Sequence, residues 1–151
     1  MTGTLVEGKG NYMVSVKMDW KGGLKFEGTS VYGHKIITDS SKKSGGEESG
    51  YAPTELMFYG IAGCTGIDVV RIMEQKRQAL KELTIEVIAH QNDEYPKPFH
   101  TVEIKFIAKG DNINEKALAR AIELSEKKYC VVSQTVKSEA KITTSYEIIT
   151  D

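Results

Sequence analysis

Pro53-Thr-Glu-Leu-Met-Phe-Tyr-Gly-Ile-Ala-Gly-Cys-Thr-Gly-Ile-Asp-Val-Val-Arg-Ile-Met-Glu-Gln-Lys-Arg-Gln-Ala79 is the stretch on which the reading of this chain turns. From Leu56 to Ile67 it holds no charged side chain. That uncharged run is shorter than the roughly 20 apolar residues a membrane span needs. Beyond Ile67 the pattern turns amphipathic, with Val69, Val70, Ile72 and Met73 set against Asp68, Arg71, Glu74, Lys76 and Arg77. The stretch therefore predicts one long helix, buried on most faces at its start and wetter at its end. Pro53 suits the first helical position, where no N–H is needed. Glu55 follows in the first turn, where the helix dipole favours an anion. Gly60, Gly63 and Gly66 each cost about 1 kcal/mol relative to alanine inside a helix. Their presence implies a close neighbour: another helix, a partner subunit or a small ligand.

At 100° per residue, Met57, Gly60, Ile61, Ile67, Asp68 and Arg71 fall on the face around Cys64. Taken from the helix alone, Cys64 reads as a small buried hydrophobe.

Around the helix, the pattern of the remaining chain is legible. Its 151 residues carry a formal net charge of −1 and an estimated pI of 6.3, and one domain spanning 1–151 is expected. Nothing in that charge points to nucleic acid or an anionic membrane. No cationic segment followed by an apolar run opens the sequence, so a cytoplasmic location is expected. Two cysteines in that setting suggest free or catalytic thiols rather than a structural disulfide.

Residues 11–39 alternate with period two, Tyr12, Val14, Val16 and Met18 facing one way and Met13, Ser15, Lys17 and Asp19 the other. Gly22-Gly23 is a turn signal, Leu24 and Phe26 continue the apolar face, and His34–Asp39 forms a third strand of an antiparallel meander. Ser40–Gly50 is rich in Ser, Gly, Lys and Glu and predicts a flexible loop, either a cover for a site or a solvated connector. Leu83, Ile85, Val87 and Ala89, then Val102, Ile104, Phe106 and Ala108, predict a hairpin across the connection Gln91–His100. Asn114 is an N-cap candidate for a second helix, with Ile113 placed to staple onto Leu118. Leu118, Ala121, Ile122 and Ser125 share one face of it. Tyr129–Val136 breaks the pattern and starts a short further helix. Ile142, Thr144, Tyr146 and Ile148 close the chain as a strand. The order βββ-α-ββ-α-α-β places the protein in the α+β class.

Cys130 follows Lys127 and Lys128 and falls near the start of the short helix, a setting that favours a thiolate. One cysteine on the central helix and one there suit an attacking and resolving pair. His34, His90 and His100 are scattered, and no Cys-x-x-Cys or His-x-x-x-His spacing occurs, so no metal is expected. No Gly-x-Ser-x-Gly elbow is present. No glycine-rich phosphate loop precedes a helix.

Pro53-Thr-Glu-Leu56 with Cys64 beyond it, and then Cys130-Val-Val-Ser-Gln-Thr135, resembles the OsmC/Ohr family of thiol-dependent peroxidases over essentially the whole chain. Gly63-Cys-Thr-Gly-Ile-Asp-Val-Val70 is closer to the OsmC-like branch than to Ohr or OsmC proper. The resemblance implies antiparallel sheets around a buried central helix and an intertwined homodimer with active sites at the subunit interface. It implies Cys64 as the peroxidatic thiol acting on an organic hydroperoxide and Cys130 as the resolving thiol. An external dithiol, such as a lipoylated protein, would restore both, and no cofactor would be needed. Met57, Phe58, Tyr59 and Ile61 are the candidate lining of an apolar pocket beside Cys64.

Two departures stand out. The active relatives carry an arginine in the N-terminal sheet region, whereas this chain has only Arg71, Arg77 and Arg120. They also carry a glutamate directly after the motif proline, where Thr54 stands here, with Glu55 one position later. Arg71, Lys21 or Lys25 could stand in for the arginine, and Asp68, if ionised nearby, would oppose a thiolate. The alternative to a peroxidase is a dimer of the same fold that binds a small hydrophobic ligand or senses redox state.

Overall fold

Described in a computed structural model are residues 5–8, 11–138 and 140–150, with side chains from Val14 onward. The expected facing of Tyr12 and Met13 lies outside the described side chains. The chain divides into two compact units, Met1–Met57 and Phe58–Asp151, with the boundary inside the first turns of the long helix.

Among its described residues the first unit carries five short strands where three were expected. Strand β1 (Leu5–Gly8) pairs antiparallel with β2 (Asn11–Val14). A separate antiparallel meander joins β3 (Met18–Trp20), β4 (Phe26–Thr29) and β5 (Lys35–Thr38). The alternation from Tyr12 to Met18 is therefore split, because its two halves pair with different partners. Gly22 and Gly23 make the β3–β4 turn at φ of 96° and 52°, a backbone region that glycine enters without a Cβ clash.

The segment 40–50 is more ordered than its composition suggests. The Asp39 carboxylate accepts from the N–H of Ser40 at 2.7 Å, Glu47 at 3.2 Å and Ser49 at 3.0 Å, and from the Ser49 hydroxyl at 2.7 Å. A 3₁₀ turn at Lys42–Ser44 fills the loop, and Tyr51 closes it by bridging to Thr38. One buried acid supplies what the polar loop lacks in apolar contacts.

Helix α1 runs Pro53–Gln75. Glu55 Oε2 accepts the Ala52 N–H at 2.9 Å, satisfying a donor that the helix leaves unpaired. At the other end Gln78 N–H bonds to Met73 O at 3.0 Å and Arg77 N–H to Glu74 O at 2.9 Å, a Schellman closure. Arg77 takes the left-handed position there, at φ 54°. Within the single chain, burial of α1 is one-sided. Ile61, Thr65, Val69 and Met73, spaced four apart, are buried, whereas Tyr59 and Ile67 are 59% and 56% exposed. The full helix is longer than its uncharged run, and by length and composition alone it would suffice to cross a membrane. Its buried stripe belongs to the core of the second unit.

That unit holds a sheet of β6 (Ala79–Gln91), β7 (Phe99–Asp111) and β8 (Lys141–Ile149) in that order. The β6–β7 hairpin keeps the expected alternation, with Leu83 opposite Ala108 and Ile85 opposite Phe106. Strand β8 runs parallel to β7, which corrects the expectation of antiparallel sheets throughout. The helical connection between them supplies the crossover that parallel strands need. It comprises α2 (Glu115–Leu124), a π-helical turn (Ser125–Tyr129) and α3 (Val131–Val136). Asn114 caps α2 as expected, its side chain accepting the Ala117 N–H at 3.0 Å. Phe106, Val102, Leu118, Ile61 and Met73 centre the core. Truncating Phe106 to alanine would cost about 3–5 kcal/mol.

Candidate active site

The site begins with a wide turn. At the end of α2 the helix loosens into the π-helical turn, and Cys130 N–H reaches back to Ser125 O at 2.9 Å. Such turns shift the residues that follow and recur at functional sites. Here the turn delivers Cys130 as the N-cap of α3, its Sγ accepting the Ser133 N–H at 3.4 Å.

Gly60 faces the start of α3 with room to spare. A Cβ placed there would stand 4.0 Å from Val132 Cγ1. Gly66 is tighter, with Ile85 Cδ1 only 2.7 Å from where a Cβ would lie. Gly63 faces open space. Of the three glycines, Gly66 alone is held to its size by packing inside the second unit among the described residues.

The result is that Cys64, Asp68 and Cys130 converge, with the two sulfurs and a carboxylate oxygen all within 4.8 Å of one another. Cys64 is half-buried and Cys130 is 0% exposed, and both are free thiols. Burial pushes the Cys64 thiol above its ordinary pKa. The hydrogen bond with Cys130 and the nearby Asp68 charge act in the same direction, and only the Val132 N–H opposes them.

Asp68 is itself held. Ser125 Oγ donates to Asp68 Oδ2 at 2.9 Å and lies 2.8 Å from Thr65 Oγ1. Because the Ser125 proton points at Asp68, Thr65 donates to Ser125. Thr65 and Ser125 are both buried, so this chain of hydroxyls fixes the carboxylate with little freedom. Sequence reasoning placed Ser125 on the apolar face of α2 and gave it no role. A hydroxyl on an otherwise aliphatic buried face was the available signal.

The remaining expected residues are dispersed. Glu55 caps α1. Lys25 ends the β3–β4 turn in the first unit, its N–H bonded to Gly22 O at 3.0 Å. Arg71 does not figure among the groups that shift Cys64. It lines a groove of about 540 Å³ with Ala62, Gly63, Ile67, Val70 and Leu83. None of Met57, Phe58, Tyr59 and Ile61 lines that groove. Ile61 is core, Phe58 packs edge-on against Phe99 with centroids 4.8 Å apart, and Met57 and Tyr59 are exposed. The expected cationic setting of Cys130 is also altered. Lys127 pairs with Glu123 at 2.8 Å, and Lys128 stands over the Tyr129 ring, 5.3 Å from its centroid.

Residues 45–145 match the family described as OsmC-like protein. The protein YhfA of Escherichia coli strain K12 is 32% identical over 136 residues, covering 90% of this chain and 98% of its own. A hypothetical protein of Aquifex aeolicus has a crystal structure with a TM-score of 0.80 and 31% identity, covering 91% of this chain and 96% of its own. An organic hydroperoxide resistance protein of Elizabethkingia anophelis matches with a TM-score of 0.65 over 91% of this chain and 98% of its own. At 16% identity that last likeness concerns the fold alone. On the span of the family match and the agreement of fold, the chain belongs to the OsmC-like protein family.

Proposed function

We propose that this protein reduces organic hydroperoxides through Cys64 and Cys130. The observation that carries the reading is the pairing of one half-buried and one sealed thiol within 4.8 Å. Cys64 loses its proton and its sulfur attacks one peroxide oxygen. The O–O bond breaks, the alcohol leaves with a proton, and Cys64 becomes a sulfenic acid. Cys130 attacks that sulfur, water leaves, and a Cys64–Cys130 disulfide forms. A dithiol such as a lipoylated protein then reduces the disulfide and is itself oxidised.

The roles follow from access, since a hydroperoxide meets Cys64 before the sealed Cys130. The Elizabethkingia neighbour's name supports the substrate class by analogy of fold. The raised Cys64 pKa makes the reaction slow, because less thiolate is present at neutral pH.

The reading includes a homodimer in the cytoplasm. In the first unit Val16 and Trp20 are exposed at 81% and 67%, and in the second Tyr59 and Ile67 at 59% and 56%, apolar side chains of the kind a second copy would cover. Sedimentation at micromolar concentration would show a dimer, and a stable monomer would contradict it.

Turnover with an alkyl hydroperoxide and a dihydrolipoyl reductant tests the chemistry. Cys64→Ser abolishes consumption, whereas Cys130→Ser completes one turnover and leaves sulfenic or over-oxidised Cys64, read by mass spectrometry. If both variants match wild type, the thiol mechanism is wrong. The groove beside Arg71 favours a second reading, a binding protein for a small apolar acid, which would then take its place.

A further inference from the structure

The geometry points to a second use of the same cluster: in its reduced form, Cys64, Asp68 and Cys130 bind one Zn²⁺ through two sulfurs and a carboxylate oxygen, with water at the fourth position. This inference stands on the arrangement of the three groups and does not require peroxidase activity.

Three observations carry it. The two sulfurs and a carboxylate oxygen lie mutually within 4.8 Å. In a tetrahedral zinc site, with Zn–S of about 2.3 Å and Zn–O of about 2.0–2.2 Å, ligand atoms stand roughly 3.5–3.8 Å apart. Rotation of side chains by an ångström or so closes the site. Second, the carboxylate already has the outer support that metal ligands typically have. Ser125 donates to Asp68 Oδ2 at 2.9 Å and is itself backed by Thr65 at 2.8 Å, so the carboxylate is held from behind. Third, the donor set is selective. Two thiolates favour Zn²⁺ over Mg²⁺ and Ca²⁺, and the carboxylate is a harder ligand than Cu⁺ prefers.

The absence of a Cys-x-x-Cys spacing does not bear against such a site. Its ligands come from α1 and from the turn before α3, which only the fold brings together. Binding forms two Zn–S bonds and one Zn–O bond and releases the two thiol protons. No electrons move. Oxidation of the pair is therefore incompatible with the metal. Two thiols give two electrons and two protons to an oxidant and become one disulfide, which is a poor zinc ligand. Zinc shields the thiols, and oxidation expels zinc.

The test uses the full chain, reduced with a phosphine and held without oxygen. Co²⁺ serves as the spectroscopic probe and Zn²⁺ as its competitor. One Co²⁺ binds per chain, with a strong near-ultraviolet thiolate-to-cobalt band and visible bands of tetrahedral intensity, and Zn²⁺ displaces it. Cys64→Ser and Cys130→Ser remove the thiolate band or weaken binding at least tenfold. Asp68→Asn and Ser125→Ala weaken binding on the order of 10–100-fold, the second without touching a ligand. Wild type needs no substitution for the decisive arm. Diamide takes two electrons from the metal-bound thiolates and two protons from solvent and becomes the hydrazine; the disulfide forms, the metal is released, and phosphine restores binding.

His90 is the competing site, since its Nε2 lies 2.9 Å from Glu103 and its ring 6.4 Å from that of His100. Cobalt bound without a thiolate band, or lost on His90→Ala while Cys64→Ser retains it, overturns the proposal. So does metal that stays bound after the disulfide forms. Hydroperoxide turnover without zinc binding sinks this inference alone, and zinc binding without turnover sinks the peroxidase reading alone.

Discussion

Cys64 and Cys130 lie with their sulfurs within 4.8 Å, one half-exposed on a long helix and the other sealed at the start of a short one. The asymmetry suits the two different tasks proposed for these chemically identical groups. It also gives the pair an unusual poise. The half-buried, acid-flanked Cys64 has its thiol pKa pushed up, so less of it is thiolate at neutral pH, while its partner sulfur stays within 4.8 Å.

The pH dependence follows from that poise. Burial raises the Cys64 pKa, with hydrogen bonding to Cys130 and the Asp68 charge adding to it. Alkylation of Cys64 by iodoacetamide at pH 7 should be slower than that of free cysteine and should rise over a more alkaline range. Asp68→Asn removes the smallest of the raising effects and should speed alkylation only a few-fold. Alkylation of wild-type Cys64 faster than free cysteine at pH 7 would contradict this.

Asp39 gives a prediction on the acid side. The Ser49 hydroxyl, with the Ser49 N–H next, holds its carboxyl down to about 2. A depressed folded pKa stabilises the protein above the unfolded carboxylate range of roughly 3.9, and the contribution is lost as pH falls through about 2. The Glu47 and Ser49 amides should therefore stay protected at pH 5 and lose protection toward pH 2. At neutral pH, Asp39→Asn should speed tryptic cleavage after Lys42 and Lys43. Unchanged cleavage would show that the carboxylate does not hold the loop.

Arg77 supplies a stability prediction. It sits at φ 54° in the closure of α1, a position that glycine takes without a Cβ clash. Arg77→Gly should stabilise by about 1 kcal/mol. That corresponds to a rise in Tm of roughly 2–4 °C for a chain of this size. Calorimetry showing an equal or lower Tm would contradict the assignment of strain there.

Much of the fold was legible because local signals and tertiary needs agreed. The period-two runs around Ile85 and Phe106 pair as expected, Asn114 caps its helix, and Cys130 falls at the start of another. What could not be read depended on partners distant in sequence. The direction of β8 is set by where the helical crossover returns the chain, and nothing in the alternation of Ile142 to Ile148 encodes it. The order of Ser40–Gly50 comes from one acid outside the loop, invisible to a composition argument. Within the site, periodicity put Cys64 and Asp68 on one face of α1, whereas Ser125, which donates to Asp68, was read as part of an apolar face. Helical periodicity gives a residue's face and leaves open what the face meets.

The most direct test treats reduced wild-type protein with one equivalent of an alkyl hydroperoxide and maps its cysteines by non-reducing peptide mass spectrometry. The account predicts one intramolecular Cys64–Cys130 disulfide, formed with loss of the hydroperoxide and release of the alcohol. Both cysteines recovered as free thiols with the hydroperoxide unconsumed would contradict it.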